Sequence, residues 1–249
     1  MARELRRLLI EPARLAEELA LTAEESRYLT RVLRYGAGDR FAVTDGAGRL
    51  WSAVLLDRRT ARLQQPAGAP LEAVAAPSPA LTLALAVPRL DGDVVVRMAC
   101  ELGVDRLQPL LAERSSVGAE RRGGRWPAIL REASEQCERL WLPELGEAVE
   151  ASSWLAKPAP GLALLATTRQ DSLPLLGSLL AATSAGESSE AIELAIGPEG
   201  GWSPAEEALA LAAGRQAVNL GPRILRCSTA AVAGLSLLSQ WRAADCGGR

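Results

Sequence analysis

The chain has 249 residues, of which 48% are hydrophobic and 23% charged, with a net charge of −2. This composition fits a globular protein with a sizeable core and excludes a largely disordered chain, whose apolar content would be far lower. The chain contains no histidine, which excludes Ser-His and Cys-His catalysis and argues against a zinc site. The four cysteines form no Cys-x-x-Cys pair, so we expect no bound metal.

Two further bulk properties bear on location and partners. No stretch approaches the ~20 apolar residues of a membrane helix, and the N-terminal sequence lacks a signal-peptide pattern, so we expect a cytoplasmic protein without a membrane partner. Every positive side chain except Lys157 is an arginine. Arginine suits bidentate phosphate contacts, although a GC-rich genome would produce the same bias.

The first third of the chain predicts a small domain. Thr22–Glu25 forms a capping-box pattern that opens a helix, with Tyr28, Leu29, Val32 and Leu33 on its apolar side. The runs Phe41–Asp45 and Arg49–Leu56 flank a Gly-Ala-Gly turn and predict a hairpin. Residues 64–80 are rich in Pro, Ala and Gly and lack periodicity. We therefore predict a mostly β domain over residues 1–68, a linker over 69–80 and a second domain over 81–249.

The second domain alternates between two patterns. Apolar runs that begin at Leu81, Leu107, Leu162, Ile192 and Ala217 predict buried strands, and helical segments are predicted near 91–103, 125–140, 171–182, 204–213 and 228–242. This alternation predicts an α/β domain with a mostly parallel sheet. Ligands of such sheets bind outside the carboxyl ends of the strands, so the loops after these runs are candidate sites.

The loop Gly197-Pro198-Glu199-Gly200-Gly201 follows one of these strands and precedes a helix. Ser203, Pro204 and Glu206 supply an N-cap, a first-turn proline and a capping-box glutamate. The glycines allow positive φ and close approach of a ligand to the backbone. A plain strand-to-helix turn is the alternative, but the sequence of this loop favours a ligand site.

A second loop, Leu220–Thr229, also joins a strand to a helix. We expect Ser228 or Thr229 to cap that helix, where free N–H groups suit a carboxylate or phosphate. Arg223 and Arg226 flank the loop, as surface ion-pair partners or as functional groups. The chain has neither a P-loop nor a Gly-x-Gly-x-x-Gly motif after a strand.

The segments LAIGPEGGWSPAEE (Leu194–Glu207) and LGPRILRCSTAA (Leu220–Ala231) resemble the paired C-terminal motifs of the RsmE family. Members are SPOUT methyltransferases that act on N3 of a uridine in 16S ribosomal RNA. Three further segments match in the same order: Tyr28–Gly48, Glu101–Ser115 and Arg125–Leu145. The resemblance implies a small PUA-like β-barrel domain followed by a SPOUT α/β domain that carries a C-terminal trefoil knot and forms a homodimer.

The resemblance also implies a set of site residues. The cofactor S-adenosylmethionine is expected against three loops, represented by Leu165, Ala166, Thr167, Ile196, Gly197, Pro198, Glu199, Gly200, Gly201, Leu220, Gly221, Leu225, Cys227 and Ser228. Arg226, with Arg223, is expected to stabilise negative charge on the uracil, and Glu199 is the next catalytic candidate. The chain departs from the family pattern at Asp91, Met98 and Ser228.

The partner implied by the resemblance is 16S ribosomal RNA or the small ribosomal subunit. Arg27, Arg31 and Arg34 fall at i, i+4 and i+7 of the first predicted helix and would share one face. They are expected to bind RNA, or else to form a solvated face that pairs with Glu24 and Glu25. Arg114 and Arg125, within matching segments, are further RNA-binding candidates. Among the tryptophans, only Trp202 is expected near the site.

Two other functions stay open at this point. The chain could be a related SPOUT enzyme that methylates a ribose 2′-hydroxyl, or a non-catalytic RNA-binding factor in ribosome assembly that has kept the fold. Nucleoside analysis would separate the first alternative, and a binding titration with the cofactor would separate the second.

Overall fold

The computed structural model describes residues 5–119, 123–158, 161–168, 173–181 and 191–246. The chain divides into two compact units. The first comprises Met1–Ala76 and Arg131–Leu142, and the second comprises Pro77–Leu130 and Pro143–Arg249. The division after Ala76 falls inside the predicted linker, of which Glu72–Ala73 forms a short strand.

The first unit is built on a six-stranded sheet. Its elements are β1 (Arg7–Leu9), β2 (Glu18–Ala20), α1 (Ala23–Arg27), β3 (Arg40–Thr44), β4 (Arg49–Leu55), β5 (Thr60–Leu63) and β6 (Glu72–Ala73). The strand order is β1-β3-β4-β5-β2, with β6 on β4, and only β1 and β3 pair in parallel. The predicted hairpin is confirmed as β3 and β4, and the predicted capping box is confirmed at Thr22 and Glu25. The alternating apolar residues of these strands form one buried core around Phe41 and Trp51.

The first helix does not continue as predicted. After α1 the chain forms a π-helix over Tyr28–Val32, in which the Leu33 N–H donates to the carbonyl of Tyr28, five residues earlier. The wider turn rotates the residues that follow, so Val32, predicted on the apolar side, is 65% exposed. Short π-helical segments are rare in proteins, but those that occur are often found at functional sites.

The second unit contains a seven-stranded sheet. Its elements are β7 (Ala80–Ala86), α2 (Gly92–Glu101), β8 (Arg106–Leu111), α3 (Trp126–Gln136, whose residues from Arg131 belong to the first unit), β9 (Glu144–Leu145), β10 (Val149–Glu150), α4 (Ala151–Leu155), β11 (Leu162–Ala166), α5 (Leu176–Ala181), β12 (Ala191–Ile196), α6 (Pro204–Ala212), β13 (Gln216–Val218) and α7 (Cys227–Cys246). The order is β10-β8-β7-β12-β11-β13, with β9 on β8, and every pair is parallel. The predicted parallel α/β domain is thus confirmed.

This topology brings the carboxyl ends of several strands to one edge. The central strands β7 and β12 are apolar along nearly their whole length, as expected where both faces of a parallel sheet are covered. The charged exception is Glu193. Its Oε1 lies 2.8 Å from Nε of Arg215, and both side chains are buried. Pairing is what makes a buried charge tolerable.

Two further observations concern membrane-spanning helices and metal-binding groups. Within the described ranges, no helix combines the length and the hydropathy of a membrane span. In the same ranges, no three acidic or cysteine side chains converge as they would around a metal ion.

Candidate functional site

Two neighbouring cavities open at the carboxyl edge of the second unit's sheet. The first, of about 430 Å³, lies between the loops that follow β11, β12 and β13 and the start of α7. The second, of about 370 Å³, lies between the loops after β7 and β8 and the same start of α7. Arg114, Glu199, Arg226 and Cys227 line both. A ligand in one cavity would therefore lie close to a ligand in the other.

The Gly197–Gly201 loop forms one wall of the first cavity. Gly201 has a φ of +71°, and its N–H donates to the Pro198 carbonyl at 2.8 Å, closing a tight turn. At the end of the loop, Ser203 and Glu206 complete the predicted capping box of α6, which is confirmed. The loop is therefore fixed at both ends by local hydrogen bonds.

Trp202 holds this loop against the neighbouring strand end. Its ring packs on Gly197 and is almost fully buried, and its Nε1 donates to the Ala166 carbonyl at 3.2 Å. Arg114, from the loop after β8, donates through Nη1 to the carbonyls of Gly200 and Trp202 at 3.2 and 3.0 Å. The ends of β8, β11 and β12 are thereby joined.

Two carboxylates lie in the first cavity. Glu199 accepts a hydrogen bond from the Arg89 N–H at 2.7 Å through Oε1, which fixes its direction. Glu207 accepts one from the Thr167 hydroxyl at 2.6 Å. Three arginines, Arg114, Arg223 and Arg226, line the same cavity, so it offers charged partners for both the positive and the negative groups of a ligand.

Cys227 is chemically inert here. Burial, with a smaller contribution from the charge of Glu199, raises the pKa of its thiol to about 12. Because only the thiolate is a good nucleophile, the site does not favour covalent catalysis by this cysteine.

The start of α7 differs from the sequence prediction. The helix begins at Cys227, and the Arg226 carbonyl accepts from the Ala230 N–H at 2.8 Å. Arg226 is therefore the residue that precedes the helix, and the prediction of Ser228 or Thr229 as the cap is wrong. Arg226 and Arg223 are both exposed towards solvent while lining the first cavity.

Most residues expected around the cofactor line the first cavity. These are Ala166, Thr167, Ile196, Gly197, Pro198, Glu199, Gly200, Gly201, Leu220, Leu225 and Cys227. Leu165 lies instead in the buried core, Ser228 lines the second cavity, and Gly221 lines neither. The sequence patterns did not assign Arg114, Glu207 or Asn219 to this cavity. The parallel-sheet rule could have pointed to Arg114, which follows the end of β8.

The arginines proposed as RNA contacts lie in different settings. Arg27, Arg31 and Arg34 are exposed, and none of them forms an ion pair with another described residue. Glu25, one of their expected partners, is buried and pairs with Arg14 and Arg131 instead. The side chain of Arg125 is 83% exposed, and its Nη1 lies 3.8 Å from Oδ2 of Asp93. Arg114 lines both cavities.

Comparisons with known proteins agree with this picture. Residues 76–239 match the model of an RNA methyltransferase domain, and residues 21–64 match that of an RNA methyltransferase PUA domain. The chain is 40% identical over 240 residues to a ribosomal RNA small subunit methyltransferase E from Synechocystis, covering 94% of this chain and 77% of the relative. A protein of the same name from Mycobacterium bovis is 30% identical over 244 residues, covering 90% and 88%.

Solved structures show the same likeness. A ribosomal RNA small subunit methyltransferase E from Neisseria gonorrhoeae, bound to S-adenosyl methionine, superposes with a TM-score of 0.77 at 28% identity, covering 95% of this chain and 98% of that one. A Legionella pneumophila protein in complex with the same cofactor superposes with a TM-score of 0.76 at 26% identity, covering 96% of this chain and 98% of that one.

Proposed function

Because the chain belongs to the ribosomal RNA small subunit methyltransferase E family, we propose that it methylates N3 of a uridine in 16S ribosomal RNA with S-adenosylmethionine as methyl donor. The observation that carries this proposal is the pair of adjoining cavities with four shared residues. One cavity accommodates the donor and the other the acceptor base, so the two can meet. S-adenosylmethionine, when bound, supplies a methyl group carried on a positively charged sulfur.

The first cavity fits such a cofactor in size and in chemistry. Its volume of about 430 Å³ lies within the ~300–1,000 Å³ of small-molecule sites. Ile196, Leu220 and Leu225 offer apolar surface, and the glycine loop offers backbone groups. The carboxylates of Glu199 and Glu207 offer partners for the cofactor's positive charge, and the arginines that line the same cavity offer partners for its carboxylate.

The second cavity receives the uracil. N3 of a uridine carries a proton at neutral pH, so the site must stabilise the charge that develops as this proton leaves. Arg226, at the junction of the cavities, stabilises that charge, and Arg223 assists from the first cavity. Glu199, held in place by the Arg89 N–H and exposed to solvent, accepts the hydrogen bond from N3, takes up the departing proton and passes it to solvent. The target base must leave its stack before it can enter.

The first unit supplies further RNA contacts. Arg27, Arg31 and Arg34 are exposed and carry no ion pair with a described residue, so their charges are available for phosphates. Arg114 and Arg125, both exposed on the second unit, are further candidates for contact with phosphates. The substrate is the 16S RNA, free or within the small subunit, which places the protein in the cytoplasm.

The active form is a homodimer. Several large apolar side chains of the second unit are exposed, including Leu90, Val94, Val117, Ile224 and Leu237. Exposed large apolar side chains are candidates for an interface between subunits, and Leu90 and Ile224 also line the cavities. The trefoil knot that family membership implies stays a prediction.

The function is tested by mapping methylated nucleosides of small-subunit RNA from cells that lack the protein, before and after complementation. Loss and recovery of N3-methyluridine at one position supports the proposal. A lost 2′-O-methyl group would indicate the ribose enzyme instead. Purified protein that fails to bind S-adenosylmethionine in a calorimetric titration would indicate a non-catalytic assembly factor.

A further inference from the structure

Glu206 uses its two carboxylate oxygens for different purposes. Oε2 accepts from the Ser203 N–H at 2.8 Å and completes the capping box of α6. Oε1 accepts from the N–H of Glu113 at 2.9 Å. Glu113 lies 93 positions earlier in the chain, in the loop after β8. The side chain is buried, with 4% of the residue exposed. A capping box needs only one glutamate oxygen, so the second bond serves another purpose.

Arg114, the next residue of that loop, makes a parallel connection. Its Nη1 donates to the carbonyls of Gly200 and Trp202 in the glycine loop. The chain segments at residues 113–114 and 200–206 are thus tied by the Glu206 carboxylate at one point and by the Arg114 guanidinium at another. We call these two ties the brace.

The brace joins the walls of the two cavities. Gly200 and Trp202 line the first cavity, whereas Ser116, two residues beyond Arg114, lines the second. We propose that Glu206 is a positioning residue, which fixes the cofactor loop relative to the acceptor wall through the Glu113 amide. This inference rests on the proposed function, since it assigns the cavities to donor and acceptor.

The expected consequence concerns turnover more than binding. The cofactor loop keeps its turn at Pro198 and its Trp202 contacts without Glu206, so the first cavity persists. What changes is the placement of that loop against the acceptor wall. A misplacement of about 1 Å can cost roughly a hundredfold in rate.

The experiment compares Glu206→Ala with Ser203→Ala. Each variant opens one half of the capping box, because Ser203 Oγ accepts from the Glu206 N–H at 3.2 Å, but only Glu206→Ala also removes the Glu206–Glu113 tie of the brace. We expect kcat per cofactor-binding site to fall at least about tenfold in Glu206→Ala, with KM for S-adenosylmethionine changed less than about threefold, and both values to stay near wild type in Ser203→Ala. Equal effects in the two variants would show that Glu206 is only a helix cap.

A second readout does not depend on activity. Hydrogen exchange of the Glu113 amide should accelerate at least about tenfold in Glu206→Ala and stay unchanged in Ser203→Ala. Unchanged exchange in both variants overturns the positioning role of the Glu206–Glu113 tie, even if the wild type methylates RNA. If the wild type does not methylate RNA, the proposed function fails. The exchange rates still test whether Glu206 holds the Glu113 amide. Should Glu206→Ala not fold, Glu206→Gln, which retains one acceptor oxygen, takes its place in both comparisons.

Discussion

The indole of Trp202 packs directly on the backbone of Gly197, so that a Cβ at position 197 would lie 3.1 Å from Cε2 of the ring. The same ring donates its N–H to the carbonyl of Ala166. Gly197 directly follows β12, and Ala166 is the last residue of the neighbouring strand β11. Both residues line the first cavity. Trp202 therefore holds two strand ends in register, and the absence of a side chain at 197 makes this contact possible.

Gly197→Ala is expected to weaken cofactor binding. The added methyl group displaces the Trp202 ring and with it the wall of the first cavity, and overpacking of this kind costs about 1–3 kcal/mol. We expect Kd for S-adenosylmethionine to rise at least about tenfold in a calorimetric titration, which corresponds to about 1.4 kcal/mol. Gly177→Ala is the matched control, because no heavy atom lies within 4 Å of a Cβ built there. Unchanged affinity in Gly197→Ala would contradict this account of the Trp202 contact.

Features determined by neighbouring residues could be predicted from the sequence. The capping boxes at Thr22 and Ser203 are formed by residues three positions apart, and both are present. The parallel sheet follows from alternating apolar runs and helices. Because parallel strands end at one edge, the Gly197–Gly201 loop could be identified as a site wall before its surroundings were known.

Features that depend on distant contacts could not be predicted. The π-helix at Tyr28–Val32 lies in a segment whose spacing fits an ordinary α-helix equally well. Arg114 reaches the cofactor loop across 86 and 88 residues, and no local pattern indicates that pairing. Glu207 was matched only as part of a motif. Its role in the cavity depends on Thr167, 40 residues earlier in the chain.

Arg226→Ala is expected to lower turnover and leave cofactor binding nearly intact. Removing one group that stabilises developing charge typically costs about 10²–10³ in kcat, and we expect a loss in this range with small-subunit RNA as substrate. Arg226→Lys should recover part of the rate, since the charge remains. Arg223→Ala should have a smaller effect, because Arg223 lines only the first cavity. Full turnover in Arg226→Ala would remove Arg226 from the mechanism.

Glu207→Gln is expected to weaken the binding of a positively charged ligand more than the binding of a ligand without that charge. The carboxylate, held by the Thr167 hydroxyl, stabilises a positive ligand in the first cavity, and neutralising it removes that attraction. We expect Kd for S-adenosylmethionine to rise about three- to tenfold, a loss of about 1 kcal/mol. S-adenosylhomocysteine, which lacks the sulfonium charge, is the control ligand. An equal loss for both ligands would mean that the charge of Glu207 is not what matters.

Glu135 should make the stability of the protein depend on pH. Burial raises its pKa to about 7, although the Leu9 N–H donates to it at 2.8 Å and Arg131 lies nearby. Since the ordinary value is 4.5, the folded state holds this proton more tightly than the unfolded state. Glu135 therefore contributes stability below about pH 4.5 that is lost as the pH rises to about 7, on the order of 2–3 kcal/mol.

Glu135→Gln isolates this contribution. The glutamine keeps an acceptor for the Leu9 N–H and cannot ionise, so the variant should match the wild type near pH 4 and exceed its free energy of unfolding by about 2 kcal/mol near pH 8. Urea unfolding at both values measures the difference. The lowered pKa of Glu25, where hydrogen bonds from Arg14 and Thr22 outweigh the effect of burial, acts in the opposite direction and is present in both proteins. A constant difference between variant and wild type across this range would contradict the assignment.

The arginines of the first unit are expected to bind RNA through charge. Replacing Arg27, Arg31 and Arg34 together by glutamine should weaken binding and also flatten its dependence on salt, because each phosphate contact to a single strand contributes about 0.7 to the slope of log K against log salt. We expect the slope to fall by about 2 for the triple variant. Arg62→Gln is the control, since this exposed arginine pairs with Glu18 at 3.6 Å. If the triple variant loses affinity without any change of slope, the three side chains act through the fold and do not contact phosphates.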